Sequence, residues 1–226
     1  MRYTRKARYG DQKLDVREFV LPGGLMVAEA LEGIWVGEDG LESLTWRCWD
    51  WVCRQIDYPP LPSPDYHREE AFLRGSSVPW VGFMRIKRST KYEFWQFPFE
   101  TIDHGLGDCE DTAILLCSLL RNPLSADEVH VGVGTYAGYG HGWVSLLKDG
   151  ERYVLETTLA AAFPGGPYQV LEASPYRPLF YFNDEQAFEA NGGLGELGGA
   201  PWEDKGKLRL IAEAYQILNA KVKVPI

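Results

Sequence analysis

The 226-residue chain carries a net charge of −9, is 45% apolar and holds 8 Trp, 12 Tyr and 10 Phe. A chain of this size and apolarity builds a sizeable core, which argues against global disorder. The acidic balance, with no sustained basic run after residue 8, makes nucleic acid a poor partner, and no apolar run reaches the length of a membrane span.

Residues 1–40 mix short apolar patches with Pro22-Gly23-Gly24 and Gly33, a pattern expected of an N-terminal arm or short strands laid over the main domain. Arg2, Arg5, Lys6 and Arg8 are expected to form a solvated tail, and without an apolar stretch behind them they make no secretory signal. A cytoplasmic protein is therefore expected. From Leu41 to about Tyr58, Leu44, Trp49, Val52 and Ile56 recur at helical spacing, with Asp39 placed to cap. Pro59 to Pro64 is a stiff connection, and residues 65–91 are polar and irregular, a surface loop or flap. Tyr92 to Thr101 is strongly aromatic and leads into Gly107.

Gly107-Asp108-Cys109-Glu110-Asp111 opens the stretch around which the chain is organised. From Ala113 to Leu120 only Ser118 is polar, so this helix is apolar on nearly every side and belongs at the centre of the fold. Asp108 is a good N-cap, with Glu110 and Asp111 in the first turn. Cys109 then occupies the first helical position, where unpaired amides and the positive dipole end favour a thiolate. Cys48, Cys53 and Cys117 read as core thiols in a reducing compartment. The cysteines and His67, His104 and His130 show no metal-ligand spacing.

Beyond the helix the period becomes alternating. Strands are expected over residues 128–136, 138–148 and 152–159, with Asp149-Gly150 as a type I′ hairpin turn. Val170-Leu171 and Leu179 to Phe182 are candidates for more. A two-residue turn pairs Lys148 with Glu151, which sets Trp143 opposite Glu156 and His141 opposite Thr158. All four then share one face, with His141 and Glu156 as diagonal neighbours. A histidine oriented by a carboxylate, near a helix that begins with cysteine, has the parts of an activated thiol nucleophile. A Gly-rich loop from Gly192 to Gly199 and a docked helix over about 203–219 complete the chain, so 41–185 is the expected catalytic domain and 186–226 its appendage.

Gly107-Asp108-Cys109, His141-Gly142-Trp143 and Glu156 resemble the transglutaminase-like superfamily of cysteine enzymes. Trp95 to Thr101, followed by Gly107 to Asp111, is similar to the bacterial transglutaminase-like cysteine proteinases, including periplasmic enzymes that cleave biofilm adhesins. The resemblance covers roughly residues 41–160. It implies an α+β, papain-like fold: a buried helix starting with the cysteine, packed on an antiparallel sheet that carries histidine and acid. It implies Cys109, His141 and Glu156 as catalytic residues, with Glu156 standing where the family usually has Asp. The Cys109 backbone amide is the first oxyanion donor; the resemblance adds Gln96 or Trp95 as a second, with Trp143 and Asp108 beside the substrate cleft. The adhesin-cleaving relatives imply calcium at Asp108 and Glu110, although both acids already serve as cap and first-turn acid, so no cofactor is the leading expectation. The expected activity is peptide or amide hydrolysis on a protein or peptide substrate. Amine transfer of the transglutaminase type and a catalytically silent binding module remain open.

Overall fold

The computed structural model describes residues 3–8, 13–35, 37, 40–60, 66, 68–72, 86–90, 93–158, 169–170 and 175–190. The Gly-rich loop and the helix expected over 203–219 lie outside the described residues. In chain order the elements are β1 (Thr4–Lys6), β2 (Lys13–Asp15), a 3-10 turn (Val16–Phe19), α1 (Leu25–Ile34), α2 (Leu41–Gln55), β3 (Arg68–Phe72), β4 (Ile86–Thr90), α3 (Pro98–His104) and α4 (Cys109–Leu120). Then follow β5 (Val129–Tyr136), β6 (Tyr139–Lys148), β7 (Glu151–Leu155), β8 (Gln169–Val170), β9 (Tyr176–Phe182) and β10 (Ala187–Glu189).

The architecture is α+β. Six strands form one sheet in the order β10-β9-β5-β6-β7-β8, antiparallel at every pairing, while β1–β2 and β3–β4 are separate antiparallel pairs. Helix α4 packs against one face of the sheet, and every one of its residues is buried. Ile114, Leu115, Leu116, Leu119 and Leu120 meet Val129, Val131 and Val133 of β5, Val144 and Leu146 of β6 and Phe182 of β9 in the main core. Burying each such side chain stabilises the fold by about 1.5–3 kcal/mol. Ser118, the one polar residue in that stretch, donates to Ile114 O at 2.8 Å and accepts the Leu21 N–H at 3.0 Å, so it also ties down the N-terminal segment.

The β6–β7 hairpin has the expected register. Lys148 pairs with Glu151 and Val144 with Leu155, and Asp149 and Gly150 both have positive φ, 54° and 82°. A second turn at Ala137-Gly138, also with positive φ at both residues, joins β5 to β6. The alternation separates the two sheet faces: Val144, Leu146 and Leu155 enter the main core, while Trp143 joins Val154, Tyr176 and Tyr181 in a second apolar cluster.

Three expectations are corrected. The N-terminal segment contains a helix, α1, whose Val27 and Ile34 are buried; the Pro22-Gly23-Gly24 breaker hid its period. The basic tail is only partly solvated: Lys6 is exposed and Arg2 lies outside the described residues, but the other two cations are engaged. Arg8 is 2% exposed, donates to Gln96 Oε1 at 2.9 Å and lies over the rings of Tyr66 and Phe94, while Arg5 lies over Trp95 and Phe180. Helix α2 is capped by Gly40 without a side-chain bond, and Asp39 lies outside the described residues. The aromatic segment turns into helix α3, with Pro98 at its first position and the Glu100 carboxylate accepting the Phe97 N–H at 2.7 Å.

Candidate active site

The start of α4 is held by a buried polar network. The backbone N–H of Asp111 donates to Asp108 Oδ1 at 3.4 Å, and Asp111 Oδ2 accepts the Asp108 N–H at 3.3 Å. The Asp111 carboxylate also takes the Gln96 N–H at 2.8 Å, Gln96 Nε2 at 2.9 Å and the Tyr66 hydroxyl at 2.6 Å. Arg8, Gln96 and Asp111 thus form a bracket that fixes where the helix begins. Burial raises the Asp111 and Asp108 carboxyls above their ordinary range; for Asp108 the charges of Asp111 and Glu110 add to the rise.

Cys109 sits at the first helical position, as expected, and is buried. Its thiol donates to Glu110 Oε2 at 2.8 Å. Burial pushes the thiol pKa well up, the charges of Glu110 and Asp108 push it further, and the Gly142 N–H, bonded to the sulfur, opposes them. The thiolate favoured by the helix start is therefore outweighed by desolvation and the flanking acids.

Gly142 is the point where sheet and helix meet. A Cβ there would lie 3.0 Å from Glu110 Cα, 3.2 Å from Glu110 N and 3.3 Å from the Cys109 carbonyl carbon. Only glycine lets the strand pass this close to the helix backbone. The residue on one side of it is His141, 5% exposed, with Nε2 2.7 Å from Glu156 Oε2. The diagonal His141–Glu156 contact drawn from the turn is thus present.

Glu156 is held at both oxygens. Oε1 takes the Thr158 N–H at 2.8 Å and the Thr158 hydroxyl at 2.9 Å, and Oε2 takes Tyr176 Oη at 2.6 Å beside His141. Burial alone would raise this carboxyl, but the charge of His141 and the bonds from His141, Tyr176 and Thr158 hold it at about 2. The main chain is pinned too: Trp49 Nε1 donates to Glu156 O, and Thr157 Oγ1 lies 2.8 Å from Thr112 Oγ1 on α4. Tyr136, Trp143 and Tyr176 surround the imidazole, with ring centroids 5.8, 6.3 and 6.0 Å away.

The other expected site residues have different surroundings. Gln96 is fully buried, with Nε2 donating to Leu106 O and Asp111. Those bonds and the Arg8 contact make it part of the bracket rather than an uncommitted donor. Trp95 is buried against Phe182 and Phe19. Trp143 has no exposed surface to line a cleft and packs edge-on to Tyr176 at 5.0 Å. Gly142 and Tyr176 escaped the sequence reading. The glycine between His141 and Trp143 was the available signal for the first; the second lies at the start of β9, ahead of the expected Leu179 and across Pro178, beside a register shift in the β5–β9 pairing.

Asp108 and Glu110, the acids singled out for calcium, are both engaged within the protein in this structure. Asp108 caps the helix, Glu110 Oε2 takes the thiol, and Asp111 is surrounded by donors. No group of three His, Cys, Asp or Glu among the described residues is arranged to hold a metal ion.

The fold defined by this sheet and its cysteine-first helix is transglutaminase-like. It is similar to Legionella pneumophila LapG, with a TM-score of 0.50 at 17% identity over 84% of this chain and 86% of that one; an EGTA-treated LapG structure gives the same values. A calcium-bound LapG structure aligns more loosely, with a TM-score of 0.38 at 16% identity over 88% and 98% of the two chains. No family model matches the chain, and no curated protein matches it in sequence.

Proposed function

We propose that this chain is a cysteine-dependent acyl-transfer enzyme, a peptidase or amidase acting on a protein or peptide through Cys109, His141 and Glu156. The observation that carries the reading is the buried His141–Glu156 pair, 2.7 Å long, one residue from the Gly142 amide that reaches the Cys109 sulfur. The likeness of fold to LapG is consistent with it. An ionised Glu156 accepts Nε2–H, which leaves the imidazole lone pair at Nδ1. As the thiol proton leaves Glu110 for Nδ1, the sulfur attacks the amide carbonyl carbon. The Cys109 backbone amide, at the open end of α4, faces the developing oxyanion. The imidazolium returns its proton to the departing amine; water then adds to the thioester, giving its proton to His141, and the released sulfur takes that proton back.

No helix among the described residues is long and apolar enough to cross a membrane. All four cysteines are free, which suits a reducing compartment, and the cytoplasm is the proposed location. Release of a fluorogenic peptide amide tests the reading. Hydrolysis that Cys109→Ala and His141→Ala both abolish supports it; faster release with an added primary amine moves the assignment to amine transfer. Iodoacetamide alkylation located by mass spectrometry separates enzyme from silent scaffold. Selective reaction at Cys109, slowed by His141→Ala, supports the dyad; equal inertness of Cys109 and Cys117 overturns it.

A further inference from the structure

We propose that Tyr176 is a positioning residue of this site, its hydroxyl holding the Glu156 side chain where the carboxylate serves His141. The inference rests on the acyl-transfer reading above. A glutamate has one more side-chain torsion than an aspartate, so an unheld Glu156 would spread over more rotamers and lose the imidazole in most of them. Two bonds to Oε1 come from Thr158, two residues away in the same chain segment, and they orient only the local turn. The bond from Tyr176 comes from β9, on the far side of β5 from β6 and β7, and anchors the acid across the sheet.

Tyr176 is itself rigid. It is 1% exposed, and its ring packs against Tyr136 at 4.8 Å, Trp143 at 5.0 Å and His141 at 6.0 Å. A hydroxyl so held presents its proton in one direction, and that direction is Glu156 Oε2, the oxygen His141 also uses. Two donors converging on one carboxylate oxygen favour the ionised acid, and the ionised acid fixes the imidazole tautomer with Nδ1 unprotonated. The titratable groups around the imidazole are Glu156, Tyr176 and Tyr136, with Cys109 and Glu110 on the helix beside Gly142. The tyrosine transfers no proton in this scheme; it acts through Glu156.

Tyr176→Phe keeps the ring and removes only the hydroxyl. It is expected to lower kcat on a peptide amide by about tenfold to a hundredfold, the worth of one hydrogen bond to a charged group, with KM changed by less than about twofold. The melting temperature should stay near the parent's, because the packing remains. Glu156→Asp withdraws the acid from the tyrosine, so in that background Tyr176→Phe should change kcat by less than about twofold, a coupling that a purely structural tyrosine would not give. Proton NMR of the unsubstituted protein supplies a readout free of both substrate and refolding: the Tyr176 hydroxyl proton and the His141 Nε2 proton should resonate at low field with a mutual cross-peak. An unchanged kcat in Tyr176→Phe, fully multiplicative losses in the double variant, or no such cross-peak overturns the proposal. If the parent cleaves no amide, the acyl-transfer reading fails by itself, while the cross-peak still tests the Tyr176–Glu156–His141 arrangement.

Discussion

Replacing Gly142 by alanine puts the helix–strand junction to the sharpest test. The added Cβ would sit 3.0 Å from Glu110 Cα and within 3.3 Å of two more backbone atoms. Carbon atoms pack comfortably at about 3.5–4.0 Å, so β6 and the start of α4 must separate by roughly 0.5 Å or more. None of the obstructing atoms is the end of a flexible side chain, and the cost of such overpacking is about 1–3 kcal/mol. In a chain of this length that lowers the melting temperature by about 2–4 °C per kcal/mol. The same displacement moves Cys109 from the Gly142 amide and from His141, and a misplacement approaching 1 Å costs about a hundredfold in rate. Thermal melting, Cys109 alkylation and peptide-amide release measure the three effects. Gly40→Ala, where the added Cβ meets nothing within 4 Å, is the control. A Gly142→Ala protein that melts, alkylates and cleaves like its parent would refute the idea that backbone contact at Gly142 sets the geometry.

Three further outcomes are expected. Asp111→Ala removes the acceptor of the Gln96 and Asp108 N–H groups and one acceptor each from Gln96 Nε2 and Tyr66; at ~1–3 kcal/mol per buried unmet donor, the two stranded amides should destabilise the protein by at least ~2 kcal/mol in denaturant unfolding. Glu100, buried and pushed up to about 7, is held more easily in its protonated form. Its folded pKa exceeds its unfolded one, so its contribution to stability is greatest below about 4.5 and is lost as pH rises through about 7; Glu100→Gln should remove that component from melts across the range. Gly33, exposed inside α1 with open space around it, should accept alanine with a gain of about 0.5–1 kcal/mol, read as a higher urea midpoint.

The sheet chemistry was legible because local signals determine it. Asp149-Gly150 dictates a two-residue turn, the turn fixes the register, and the register makes His141 and Glu156 diagonal neighbours before any tertiary contact is known. The helix start was legible for the same reason: Asp108 caps it within three residues. What escaped depends on partners distant in sequence. Arg8 looks like a solvated charge until Gln96, 88 residues away, accepts its hydrogen bond. The candidate strand over Leu179 to Phe182 in fact begins at Tyr176, because Pro178 lies beside a bulge where the ladder shifts register and the strand continues around it. The cysteine's electrostatics were read from the helix start and a histidine partner, and burial beside Glu110 and Asp108 opposes the thiolate.

The placement of β9 carries a consequence for how the protein comes into being. Strands β5, β6 and β7 follow one another through two short turns, so a meander bearing His141 and Glu156 can form from neighbouring sequence, soon after α4. β9 must loop back past this meander and zip onto the opposite edge of β5 before Tyr176 can reach Glu156. Closing that longer loop costs more entropy than closing either short turn. Pairing of β5, β6 and β7 needs no contact with β9, whereas the Tyr176 bond to Glu156 does. The full set of bonds around Glu156 is complete only once β9 has docked.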